Sequence, residues 1–244
     1  MTAHSLFSAS ASERWARCPG SLALAYGTGS ASATSYAAAE GTACHEAGEL
    51  CLRDDSLQVS DLIGTVFQVE DFRIPFTDEL ADLVQTYVEY VRGLSGTRLV
   101  EVRCDYTAAL GLPLGQGFGT SDSVLLDGST VHVVDAKFGR KYVAPEANTQ
   151  LALYAIGVVA SIESMLGEQV DKVVLHIVQP RVTGKGTYAE LDRAGLDAIV
   201  AKLKAAAQQG LAAIEAYIAS KPILPFLHPG PTQCQWCPAR AACP

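Results

Sequence analysis

The sequence has no basic, apolar leader in its first residues, MTAHSLFSAS, no internal repeat, and no surplus of positive charge. The missing leader argues against export. The longest apolar run, around residues 151–162, falls short of the roughly 20 residues that cross a bilayer, so the chain is expected to be cytoplasmic. A net charge of −8 argues against binding nucleic acid by bulk electrostatics. It leaves room for a local basic groove, for which Arg14, Arg17, Lys137, Arg140, Lys141, Arg181 and Lys185 are the candidates. Without an export signal, seven cysteines do not suit a disulfide framework; metal ligation, catalysis or simple burial remain.

The 244 residues, 49% of them hydrophobic, are enough for a sizeable core, and no linker separates two domains. Helices are expected over residues 35–52, where Ala, Glu and Leu dominate, and over 77–94, where Leu80, Leu83, Val84, Tyr87, Val88 and Val91 recur with helical period. Three strands follow at 98–106, 121–127 and 130–138, the last two flanking the turn signal Asp127-Gly128-Ser129. Pro145 and Glu146 open an apolar helix to about 166. Residues 170–179 read as a buried strand, an Ala-rich helix covers about 192–219, and a Pro-rich tail begins at 222.

A two-residue turn on Gly128 and Ser129 pairs Asp127 with Thr130, Leu126 with Val131 and Val124 with Val133. Counting back sets Asp122 opposite Asp135, with Cβ atoms about 4.5 to 5.5 Å apart, where like charges repel and call for a cation between them, whereas a turn on Asp127 and Gly128 would set Asp122 opposite Val133. Period two puts Lys137 on the face of Asp135. Two alternatives stand: a salt bridge at a strand end, or a divalent metal held by both aspartates. Hard cations such as Mg²⁺ or Mn²⁺ favour oxygen ligands and suit phosphodiester hydrolysis.

Gly119 to Asp122 (G-x-x-D), Asp135 to Lys137 (D-A-K), Gln150 to Tyr154 (Q-x-x-x-Y) and the upstream Glu40 to His45 within EGTACHE together resemble the PD-(D/E)xK nuclease superfamily, in its RecB-like branch. The resemblance implies an α/β, restriction-endonuclease-like αβββαβ core at about residues 35–180, with a mixed central sheet flanked by helices, in a single domain spanning 1–244. It implies that His45, Asp122 and Asp135 are metal ligands, with the Ala136 carbonyl completing the set. Lys137 would orient water or stabilise charge on the phosphate, and Gln150 and Tyr154 would border the site, touching Lys137 or the DNA backbone. Glu46, Glu49 and Glu101 carry no assigned catalytic role.

The tail, CQWCPARAACP, sets Cys234, Cys237 and Cys243 in the pattern C-x₂-C-x₅-C, and Cys18 is the natural fourth thiolate. Cys₄ sites take Zn²⁺ or a [4Fe-4S] cluster. One cysteine upstream of the core and three downstream is similar to the iron-sulfur staple of AddB-type and CRISPR-associated RecB-like nucleases, which favours the cluster and implies that segments 1–30 and 222–244 are joined. Cys44, Cys51 and Cys104 are expected in the core.

The activity implied is an Mg²⁺- or Mn²⁺-dependent deoxyribonuclease, an exonuclease on DNA ends or single strands, similar to phage-encoded members that stand alone. It would serve recombination or repair beside a recombination or single-strand-binding protein, in the host cytoplasm if phage-encoded. The rival is a non-catalytic DNA-binding or scaffolding subunit that keeps fold and cluster.

Overall fold

The computed structural model describes residues 5–28 and 34–244, so part of the N-terminal segment 1–30 lies outside the described residues. Two short helices, α1 (Ser12–Arg17) and α2 (Gly20–Thr28), precede α3 (Tyr36–Arg53). Ser35 caps α3 by accepting the Ala38 N–H at 3.2 Å, which fixes its start. A small hairpin, β1 (Val66–Val69) with β2 (Phe72–Pro75), leads to α4 (Asp78–Arg92). Thr77 caps α4, its first turn carries Asp78 and Glu79 and its last Arg92, all of which suit the helix dipole. Gly48 lets α3 pack on α4: a Cβ there would stand 3.0 Å from the Tyr87 ring.

Then come β3 (Thr97–Asp105), the one-turn α5 (Thr107–Leu110), β4 (Phe118–Asp127), β5 (Thr130–Ala136), α6 (Thr149–Leu166), β6 (Lys172–Gln179), β7 (Lys185–Asp192), α7 (Arg193–Ile218) and the short α8 (Pro231–Gln235). The strands form one mixed sheet in the order β3-β4-β5-β6-β7, with β5 and β6 parallel and the other neighbours antiparallel. Helices cover both faces. Val131, Val133, Leu175 and Ile177 point into a core shared with α6, α7 and the N-terminal helices. Val134, Ala136 and Val178 point into a second core under α3, α4 and the small hairpin. The chain is therefore α/β with a mixed five-stranded sheet between helical layers.

The hairpin register is the one expected: Asp127 pairs with Thr130, Leu126 with Val131 and Val124 with Val133, and Gly128 takes the positive φ of +57° that the turn requires. Two expectations are corrected. Helix α6 starts at Thr149, not Pro145, because residues 145–148 make a turn and Asn148 caps the helix, accepting the Leu151 N–H at 3.1 Å. That helix is also, by length and composition, long and apolar enough to cross a membrane, with mean hydropathy 1.4 over 18 residues. Every residue from Leu151 to Val159 is buried against the sheet and its neighbours, which makes it a core helix here.

Candidate active site

Strands β4 and β5 carry Asp122 and Asp135 to the same end of the sheet. Ser123 pairs with Val134, and the aspartates are the next residues along. Past Ala136 the chain leaves β5, with the Lys137 N–H still donating to the Val178 carbonyl at 2.8 Å. Lys137 Nζ turns back to Asp135 Oδ2 at 2.7 Å, an ion contact that leaves this buried oxygen without a well-directed hydrogen bond. Asp135 is only 3% exposed. From α6, Gln150 spends its amide on three partners: Nε2 donates to Asp135 Oδ1 and to the Tyr154 hydroxyl, both at 3.0 Å, and Oε1 accepts from Lys137 Nζ at 3.3 Å. The spacing of four residues puts Gln150 and Tyr154 on one helix face, as the sequence implied.

Asp122 Oδ2 accepts the Ala136 N–H at 2.7 Å and lies 3.4 Å from Nδ1 of His45 on α3. Ala136 thus enters the site through its N–H. His45 also packs edge-on against Phe138, ring centroids 5.1 Å apart. Gly119 explains the glycine of G-x-x-D: a Cβ there would come within 2.7 Å of Tyr154 and drive that ring from its place beside Gln150.

The charges are self-balancing. Burial pushes the Asp122 carboxyl up, but His45, the Ala136 N–H and Lys137 outweigh it and hold the group below its ordinary value. Burial dominates at Asp135 and raises it against the pull of Lys137, with Asp122 adding to the rise. Burial lowers His45 and Lys137, yet the aspartates beside them leave both raised. Each aspartate thus favours the charged form of the basic group beside it, at a site where Asp135 is buried while His45 and Lys137 keep about a third of their side chains exposed.

The structure adds Glu101 to this group. The β3–β4 pairing, Val100 with Ser123 and Val102 with Ser121, brackets Glu101 and Asp122 as opposed residues. Glu101 holds φ at +54°, a left-handed value rare for a side-chain-bearing residue in a strand. Burial first, then Asp122 and Glu49, push its carboxyl up to about 7. Glu46 is exposed, while the half-exposed Glu49, one helical turn beyond His45, pairs with Arg53 at 2.7 Å.

The expected basic groove is corrected in part. Arg181 is 9% exposed on its side chain and clamps Glu40 at 2.6 Å and Glu79 at 2.9 Å, tying α3 to α4. Arg17 pairs with Glu13, and Arg14 donates to the Ser21 carbonyl and hydroxyl. Arg140, Lys141 and Lys185 stay exposed.

Cys18, Cys234, Cys237 and Cys243 line one small apolar pocket between the two ends of the chain. The His228 N–H donates to Cys18 Sγ and the Gly230 N–H to Cys234 Sγ, each at 3.3 Å. Cys44, Cys51 and Cys104 are fully buried, as expected. Among the described residues no set of three or more His, Cys, Asp or Glu side chains is arranged to hold a metal ion as it stands.

The chain belongs to the family described as Protein of unknown function (DUF2800), whose model matches residues 4–244. A solved structure titled "Crystal structure of SSO0001" is similar at 14% identity and a TM-score of 0.33, over 60% of this chain and 59% of that one. So slight a likeness lends weight to no reading.

Proposed function

We propose that this chain, as a member of the DUF2800 family, is a cation-dependent nuclease of the PD-(D/E)xK type that hydrolyses DNA phosphodiester bonds, acting as an exonuclease on ends or single strands. The supporting observation is that His45, Asp122, Asp135, Lys137, Gln150 and Tyr154, from four separate stretches of sequence, meet at one end of the sheet. Apart from the one-turn α5 between β3 and β4, the element order α4-β3-β4-β5-α6-β6 is also the one the resemblance implies.

The donor chemistry fits a hard cation. Asp135, buried, and Asp122, half-buried, stand opposite each other on β5 and β4, and among the described residues Asp135 Oδ2 is met only by the Lys137 ammonium at 2.7 Å. Asp122, Asp135 and His45, with the Ala136 carbonyl, would hold Mg²⁺ or Mn²⁺. Such an ion, when bound, supplies an acidified water and neutralises charge on a phosphate. The chain's own groups do the rest. Lys137 stays charged because Asp135 and Asp122 hold its proton, so it stabilises negative charge on the phosphate and does not act as a base. Gln150 fixes Asp135 and Lys137 together, and Tyr154 fixes Gln150.

The same reading assigns Cys18, Cys234, Cys237 and Cys243 to a [4Fe-4S] cluster, with Zn²⁺ as the alternative, joining the terminal segments. The shared pocket and the two N–H groups directed at sulfur suit thiolate ligands. Metal analysis and visible absorption of anaerobically purified protein separate the two.

A second reading, a DNA-binding subunit without turnover, is favoured by the mutual neutralisation of Asp135 and Lys137. Digestion of end-labelled single- and double-stranded DNA with Mg²⁺ or Mn²⁺ decides between them. Asp135→Asn should lower cleavage at least about a hundredfold while circular dichroism shows the fold intact. Full activity in that variant would sink the nuclease assignment, and binding without cleavage under every cation would favour the subunit.

A further inference from the structure

The loop between β5 and α6 carries Gly139, Arg140, Lys141 and Tyr142 directly after Lys137 and Phe138. Its backbone is fixed from beneath by Gln179, a wholly buried amide at the end of β6. Gln179 Nε2 donates to the Lys141 carbonyl at 2.9 Å, and Oε1 accepts the Val143 N–H at 3.0 Å. With both ends of that amide spent on one loop, the peptide at 141–143 is held to the sheet end. Phe138, buried against His45 and Tyr87, anchors the near side. Lys141 Nζ donates to Gln235 Oε1 of α8 at 3.0 Å, a tether on the far side.

The three side chains at 140–142 all face solvent, and Tyr142 is 56% exposed. Among the described residues no carboxylate pairs with Arg140 or Lys141. In a chain of net charge −8, two uncompensated cations beside an exposed aromatic ring on a fixed backbone make an unusual patch. Cations that track phosphates, joined to a ring that a base can cover, are the two components of single-strand recognition. In a duplex the base faces are stacked on one another and closed to such a ring.

We propose that this loop is a platform for single-stranded nucleic acid, with Tyr142 stacking on an unpaired base and Arg140 and Lys141 taking the flanking phosphates. It leads the strand toward Lys137. The partner rests on the nuclease reading; the choice of single strand over duplex goes beyond it.

The test is fluorescence anisotropy with a labelled oligothymidine and a labelled blunt duplex, in an Asp135→Asn background without added Mg²⁺ so that neither probe is consumed. Tyr142→Ala should weaken oligothymidine binding about tenfold and duplex binding less than about twofold, while Tyr142→Trp retains it. The Arg140→Ala/Lys141→Ala pair should flatten the salt dependence of oligothymidine binding by about one to two logarithmic units of slope. Unchanged affinity in Tyr142→Ala, an equal loss on duplex, or no binding of oligothymidine by the parent would each overturn the platform. If the wild type still cleaves DNA in those cases, only the platform falls; absence of cleavage under every cation is what defeats the nuclease reading.

Discussion

Acidification from pH 7 to pH 5 should cost this protein about 2 kcal/mol through one imidazole, and His176→Phe should remove most of that loss. His176 sits on β6, 3% exposed, on the sheet face under α4. Its Nδ1 meets the Tyr90 hydroxyl and its Nε2 meets His132 Nδ1, each at 2.9 Å, with the Tyr188 ring alongside. Facing nitrogens of the two histidines share one proton, so both rings cannot be charged at once without repulsion across that contact. Burial, and then His132, push the group from an ordinary 6.5 to about 3. The unfolded chain therefore takes up a proton near pH 6.5 that the folded chain refuses. Stability is whole above that value and is lost progressively as pH falls toward 3. At pH 5 the unfolded imidazole is almost fully charged and the folded one almost fully neutral, which gives the figure of about 2 kcal/mol. His132, lowered by burial although Asp127 and Glu190 oppose, adds in the same direction. Urea unfolding at the two pH values, followed by circular dichroism, measures the loss in each protein. Phe keeps a ring of similar bulk, and Tyr90 and His132, both partly exposed, can turn to water. Comparing increments cancels the titrating groups that do not touch His176, leaving His132, its hydrogen-bond partner, to change with it. Equal losses in wild type and variant would refute the reasoning.

Glu101 should act in the opposite direction. Its carboxyl is raised from 4.5 to about 7, so its contribution is present at low pH and is lost as pH rises through about 7. Glu101→Gln should therefore gain on wild type between pH 6 and pH 8 in the same unfolding assay; parallel curves would discard the idea. Gly119→Ala should cost roughly 1 to 3 kcal/mol, because the new methyl meets the Tyr154 ring at 2.7 Å and the Ala9 methyl at 3.3 Å. It should also slow DNA cleavage by loosening Gln150, and an unshifted melting temperature would show that the ring is not held as described.

The helices were legible where a cap and a periodic stripe agree. Ser35, Thr77 and Asp192 each precede an apolar repeat and each caps in the structure. Asn148 is as strong a signal, but Pro145 and Glu146 stand three and two residues before it and mimic a helix start. Strand β7, KGTYAELD, is polar and alternates only weakly, so nothing local marks it; its pairing with β6 is what makes it a strand. The β1–β2 hairpin turns on Glu70 and Asp71, with Glu70 at φ +49° and no glycine to announce it.

The same division runs through the site. Asp122 and Asp135 are joined by a two-residue turn, so their opposition follows from counting, and Gln150 and Tyr154 follow from helical spacing. Glu101 is set opposite Asp122 across a longer connection, and no rule of local sequence fixes that register. The Tyr106 hydroxyl fixes it by bridging the carbonyls of Phe7 and Phe118, with help from Thr107 Oγ1, which both donates to the Gly117 carbonyl and accepts the Gly117 N–H. Gly157 adds to this by letting α6 lie on β3 where a Cβ would stand 2.8 Å from the Asp105 nitrogen. A carboxylate placed by a tight turn can be read from sequence alone. One placed by a buried hydroxyl and a close helix contact is determined by tertiary structure, and it is the residue whose substitution most directly tests whether the third carboxylate belongs to the site.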